Sequence, residues 1–122
     1  MTRTLFKLNF LKTTFIISSV ACILFACKKK GADYVPDCSG APKSFSNDVL
    51  PIIQSSCAIN SGCHGNGSNN GVGELLTYTK IFNVRSDIRS AVASGEMPLN
   101  GSLTSTEKNA ILCWIDGGAP NN

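Results

Sequence analysis

The feature that most constrains this chain is the stretch Ser56-Cys57-Ala58-Ile59-Asn60-Ser61-Gly62-Cys63-His64-Gly65, in which two thiols end in a Cys-His pair. His64 is the sole histidine among 122 residues. The stretch lies near the start of a segment of about 80 residues, 44–122. A domain that short has a thin core and needs a staple such as disulfides, a metal or a cofactor. Four cysteines, Cys38, Cys57, Cys63 and Cys113, fall in or beside it and can supply such staples.

Upstream of that segment the chain reads as an export signal. Arg3, Lys7 and Lys12 form a basic start without acids, and Thr13 to Ala26 is almost wholly apolar or small. That run is shorter than the roughly 20 residues a membrane-spanning helix needs. A basic start before a short apolar stretch is the pattern of a cleaved leader. Leu24-Phe25-Ala26-Cys27 resembles a bacterial lipoprotein processing site, with Cys27 as the acylated residue. Cys22, after Ser19-Val20-Ala21, is a second candidate, and a plain cleaved signal peptide is the simpler alternative. The expectation is a lipoprotein signal peptide over 1–26, a lipid-anchored linker over 27–43 and one domain over 44–122. The mature protein then works outside the cytoplasm, anchored by lipid to the inner or outer membrane and facing the periplasm or cell surface. Disulfides persist there.

The formal net charge of +3 comes from the leader, because eight basic and eight acidic residues follow position 26. A neutral domain offers no basic face for nucleic acid, which is therefore not an expected partner. The Lys28-Lys29-Lys30 run adjoins the expected anchor, where it can meet headgroups or simply serve as a solvated tether.

Within the domain the patterning is helical. A first helix is expected from Ser44 to Ile53, capped by Ser46 or Asn47, with Val49, Ile52 and Ile53 on one face and Pro51 tolerated near the first turn. Gly65 to Gly73 alternates glycine with asparagine and serine and reads as a loop. Leu75 to Phe82 suits a short helix or turn, and Ser86 to Ser94 a helix stopped by Gly95. Thr104 and Glu107 match a capping box, ahead of Ile111, Trp114 and Ile115 on one face and a Gly117-Gly118 stop. No alternating strand pattern occurs. The fold class expected is all-α, with three to four short helices and long loops.

Two residue types outside this scaffold carry chemistry. A thiol pair followed directly by histidine is the arrangement that attaches haem covalently, the thiols bonding the vinyl groups and the histidine ligating iron. The usual spacing is two residues, and here it is five. Electron-transfer haems commonly take methionine on the other face. Once the leader is removed the chain holds one methionine, Met97, in a Gly-x-Met-Pro loop where Pro98 keeps the backbone out of helix. The bland roles are a satisfied surface histidine and a core-filling methionine. Three arrangements of the cysteines remain open. Cys57 and Cys63 carry haem while Cys38 and Cys113 form a disulfide; or all four are disulfide-bonded; or Cys57, Cys63 and His64 bind zinc with a fourth ligand from Cys38 or Cys113.

The order of motifs resembles the small single-haem cytochrome c domains of exported bacterial proteins, lipoproteins included. The resemblance rests on Val49-Leu50-Pro51-Ile52-Ile53, Cys57 with Cys63-His64-Gly65, Leu75-Leu76-Thr77-Tyr78, Met97-Pro98, Thr104 to Glu107, and Trp114-Ile115-Asp116-Gly117-Gly118-Ala119. It covers about residues 44–119. It implies a cytochrome c-like fold around one haem c, held covalently by Cys57 and Cys63. His64 and Met97 become the axial ligands of the iron, and the first and last helices cross beside the haem. It further implies an electron carrier rather than an enzyme, served by redox partner proteins. The alternative is a disulfide-stapled lipoprotein with a binding or structural role and no haem. The five-residue spacer departs from the family pattern. It leaves open attachment through both thiols, through one thiol, or haem lost to a Cys57–Cys63 disulfide.

Overall fold

A computed structural model of the chain describes residues 32–122. The expected signal peptide, Cys22, Cys27 and the lysine run lie outside the described residues. A π-helical turn, Phe45–Val49, runs into α1 (Leu50–Ser56), followed by α2 (Tyr78–Asn83), α3 (Arg85–Ser94) and α4 (Ser105–Asp116). No strand occurs among the described residues. The protein is all-α, with short helices and long connections, as the patterning predicts. None of these helices is long and apolar enough to cross a membrane.

The start of the first helix differs in detail from the sequence expectation. The cap is Ser44, whose hydroxyl accepts from the Asn47 amide, while the Asp48 carboxylate accepts from the Ser44 amide at 2.7 Å. Pro51 explains the π turn that follows. Proline has no N–H to give and its ring collides with the carbonyl four residues back, here that of Asn47. In the wider turn Val49 and Leu50 instead reach five residues back, to the carbonyls of Ser44 and Phe45. Each bond there spans one more residue than in an α-helix, giving room for the ring at the second position of α1.

α4 is the hub. Thr104 and Glu107 close the expected capping box, each side chain bonding the other's backbone N–H. The helix packs against the π turn on one side and α3 on the other. It buries Ala110, Ile111, Leu112 and Trp114. Trp114 is 1 % exposed and its indole N–H donates to the Pro120 carbonyl at 2.9 Å. Phe45, Tyr78 and Trp114 gather around one point, with ring centroids 5.1 Å apart for Phe45–Tyr78 and 5.4 Å for Phe45–Trp114. The Tyr78 hydroxyl donates to the Ala119 carbonyl at 2.9 Å, so the polar tip of each buried aromatic is satisfied. Arg89 of α3 makes a two-pronged pair with Asp116 of α4 at 2.6 and 3.0 Å.

The described part of the expected linker has no regular secondary structure from Ala32 to Ser39 but lies against the domain. The Tyr34 amide donates to the Ala93 carbonyl at 2.7 Å, and its hydroxyl bonds Asn109 at 2.9 Å. Cys38 is joined to Cys113 of α4 by a disulfide spanning 75 residues. That is the pairing in the first of the three cysteine arrangements.

Candidate functional site

α1 ends where the Cys-His stretch begins. The Cys57 amide still bonds the Ile53 carbonyl at 2.9 Å, and the Ala58 amide shares that carbonyl at 2.7 Å. The chain then leaves the helix and returns at His64, whose amide donates to the Cys57 carbonyl at 3.0 Å. That bond brings together the backbones of the two cysteines and the histidine.

Cys57 and Cys63 are half-buried and unpaired. Cys57 packs against the hydrophobic cluster. Burial, and secondarily the charge Cys63 would carry, push its thiol up to about 11 from an ordinary 9.0. The Cys57 sulfur is therefore a neutral thiol at neutral pH. The arrangement with all four cysteines cross-linked is not the one adopted.

The glycine-rich loop folds back onto His64. The Leu75 amide donates to the His64 carbonyl at 2.8 Å, and His64 Nδ1 lies 2.8 Å from the Gly73 carbonyl. A carbonyl oxygen only accepts, so Nδ1 carries the proton and donates. In the neutral ring Nε2 then holds the free lone pair, which fixes both the tautomer and the nitrogen available to a metal. Gly71 lies at the imidazole edge, where an added Cβ would stand 3.9 Å from His64 Cε1. Gly73 has φ +78°, a conformation that favours glycine, and it aims its carbonyl at the ring.

Ser68, 4 % exposed, donates its hydroxyl to the Cys63 carbonyl. Neither Gly73 nor Ser68 stands out in the sequence as a site residue. The one available signal is the run of glycines directly after Cys63-His64, which marks a loop able to close on that pair.

Met97 is placed separately. It follows the left-handed Gly95 that ends α3, and its amide donates back to the Ala91 carbonyl at 3.1 Å. The residue is half-buried yet lies outside the hydrophobic cluster, so it is not core filler. No hydrogen bond among the described residues links its loop to that of Cys57–His64. Next to each stands an exposed apolar side chain, Leu99 after Met97 and Ile59 in the spacer, 77 % and 60 % exposed.

Among the described residues no three His, Cys, Asp or Glu side chains converge as a metal-ion cluster, so Cys57, Cys63 and His64 do not assemble the proposed zinc set. Haem makes a different demand: one imidazole nitrogen on the iron and thiols at the porphyrin edge. An oriented imidazole directly after Cys63, its backbone amide on the Cys57 carbonyl, and two uncrosslinked thiols are the groups this demand calls for. Two surface clefts lie elsewhere. One, of about 450 Å³, adjoins the disulfide between Lys43 and Trp114, and the other, of about 550 Å³, lies between Gly67 and Lys80. Neither is lined by a cysteine of the Cys57–His64 stretch, by His64 or by Met97.

Comparison with family models, with curated proteins and with solved structures finds no match to this chain.

Proposed function

We propose that this protein is an electron carrier: a cytochrome c-like domain holding one haem c, tethered as a lipoprotein outside the cytoplasm through Cys27. The observation that carries the reading is the Nδ1–Gly73 hydrogen bond, which commits the only imidazole of the chain to present Nε2. A surface histidine without a role has no need of a glycine-rich loop wrapped to set its tautomer.

The residues that would hold the group are Cys57 and Cys63 through thioether bonds, with His64 and Met97 as ligands of its iron. When bound, the haem iron supplies a one-electron couple, and methionine ligation favours its reduced form. The chain's own contribution is placement. Gly73 holds the imidazole proton on Nδ1, which would leave Nε2 for the iron, and partial burial keeps the Cys57 sulfur protonated. Were His64 and Met97 both to ligate the iron, no position on it would remain for substrate, which favours transfer to redox partner proteins over catalysis.

A second reading has its own support. The Cys38–Cys113 bridge and the closed aromatic cluster around Trp114 already stabilise the domain, which suits a cofactor-free binding or structural lipoprotein. A pyridine haemochrome spectrum of the protein produced with haem-attachment machinery separates the two. A spectrum of covalent haem c is the expected result, and its absence ends the cytochrome reading. In the loaded protein Met97→Ala is expected to remove the weak charge-transfer band of methionine-ligated ferric haem near the red edge of the spectrum.

A further inference from the structure

The three residues by which the spacer exceeds the usual two are not slack. Asn60, at its middle, organises the whole turn. Its side-chain oxygen Oδ1 accepts from the Gly62 amide at 2.8 Å and the Cys63 amide at 3.2 Å. Its own carbonyl accepts from the Cys63 amide at 3.1 Å and the Gly65 amide at 2.8 Å. Asparagine is suited to this because its side chain reaches backbone N–H groups two residues on. Asn70 braces the turn from outside, its amide donating to the Gly62 carbonyl at 2.9 Å and the Ser61 carbonyl at 3.4 Å.

Gly65 packs so closely on Asn60 that an added Cβ would lie 2.8 Å from the Asn60 carbonyl carbon and oxygen. The mouth of the turn is tied by the His64 amide on the Cys57 carbonyl. Ala58 packs against the core cluster, and Ile59 takes up the extra length on the outside, 60 % exposed. The result is a closed loop, braced at mouth and middle, with a cysteine at each end.

We infer that Asn60 is the positioning residue that presents Cys57 and Cys63 as one two-thiol site, so that both thiols, and not Cys63 alone, carry the haem. The inference rests on the haem reading above. An unbraced spacer of five residues would leave Cys63 free to sample positions away from Cys57, which α1 holds, because lengthening a loop costs little. The turn removes that freedom. Each attachment is then an addition: the sulfur forms a bond to one vinyl carbon, the thiol proton goes to the other, nothing leaves and there is no net oxidation.

The first test needs no haem. Phenylarsine oxide forms two As–S bonds when a thiol pair is held together, and its oxygen leaves as water with the two thiol protons. Wild-type apoprotein with its Cys38–Cys113 bridge intact is expected to take one arsenical across Cys57 and Cys63, seen by intact mass. Asn60→Ala removes two side-chain hydrogen bonds and is expected to weaken this capture about tenfold. Asn60→Asp keeps the acceptor oxygen and is expected to restore it. Asn70→Ala, at an exposed brace, is expected to give a smaller loss and serves if Asn60→Ala fails to fold.

The second test is on loaded protein. Haem-peptide mass and the haemochrome α band are expected to report two thioethers in wild type. In Asn60→Ala a fraction is expected to be held by Cys63 alone, with the band moved to longer wavelength. Unchanged capture and two intact thioethers in Asn60→Ala overturn the role of Asn60, as does wild-type haem held through one thiol. Arsenical capture in a wild-type protein that takes no covalent haem overturns the haem reading instead, so the two failures are distinguishable.

Discussion

Two pairs of cysteines divide the molecule, and their surroundings do opposite things. Cys38 and Cys113 are 75 residues apart and joined, beside the wall of buried residues that α4 presents. Cys57 and Cys63 are separated by only five residues and stay unjoined. The first pair sits where the fold is made of side-chain packing: Trp114, Phe45 and Tyr78 in mutual contact, with Leu112 and Ile111 at 0 % exposure. The second sits where the fold is made of backbone hydrogen bonds to Asn60, Gly73 and Cys57, around a largely polar loop. One half gets its rigidity from burial and a cross-link. The other gets it from satisfied amides and glycine conformations, and so leaves its two thiols uncrosslinked.

If that division is right, removing the bridge should cost stability without disturbing the Cys57–His64 loop. Closing a loop of this length contributes about 4 kcal/mol in the chain-entropy model. The Cys38→Ser, Cys113→Ser double variant should therefore melt on the order of 20 °C lower by circular dichroism. Its His64 ring should keep the native Nδ1–H signal by NMR at low temperature. A small change in melting, or loss of the ring signal, would show that the two halves are not independent.

How far each half could be read from sequence follows the same line. Thr104 with Glu107, Gly95 and the Ile111–Trp114 face are local signals, each legible because cause and effect lie within one helix. The all-α class followed from them. The π turn was not legible, because it arises from the collision of the Pro51 ring with a carbonyl rather than from any residue preference. That Ser44 is the cap, rather than Ser46 or Asn47, was equally out of reach, since Asp48 and the distant Asn122 both bond Ser44. The attachment of Tyr34 to Ala93 and Asn109 was hidden by its position in a stretch with little apolar content. In the site, Cys57, Cys63 and His64 are visible as a motif. Gly73 and Asn60 are not, because their contribution is a main-chain carbonyl and a loop-closing amide, which only the closed loop reveals.

The loop half breaks differently. Gly65→Ala places a methyl 2.8 Å from backbone atoms of Asn60, and a backbone neighbour cannot move aside as a side chain can. The expected loss is about 1 to 3 kcal/mol of unfolding free energy, the range for forcing extra atoms into a filled space, and urea titration measures it. The more telling result is local. Amide exchange at Cys63 and Gly65, both held by Asn60, should speed up more than exchange at Leu112 in α4. Equal acceleration at both places would mean the loop and the helix open together, against the division drawn here.

The smallest effect is the sharpest probe of the loop, because it depends on one thiol. Cys57 is pushed up to about 11 from 9.0, chiefly by burial and then by Cys63. A raised acid pKa means the folded state holds the proton more tightly than the unfolded chain does. The stability tied to it is fully present below pH 9 and is lost as pH rises from about 9 to 11, where only the unfolded thiol ionises. The sign is opposite for Asp37, Glu74 and Glu107. Their carboxyls are held below the ordinary range by hydrogen bonds from Ser39, Lys80 and Thr104 respectively, and they lose their contribution as pH falls. For Cys57 the loss at pH 10 is about 1 kcal/mol. To isolate this one thiol, the quantity to measure is the difference between wild type and Cys57→Ala in oxygen-free buffer, which leaves the Cys38–Cys113 bridge intact. The wild-type profile should fall more steeply above pH 9, and alkylation of Cys57 at pH 8 should be on the order of a hundredfold slower in the native protein than in urea. Parallel profiles would place the Cys57 sulfur in water and remove the contrast between a thiol that the fold shelters and one that it merely carries.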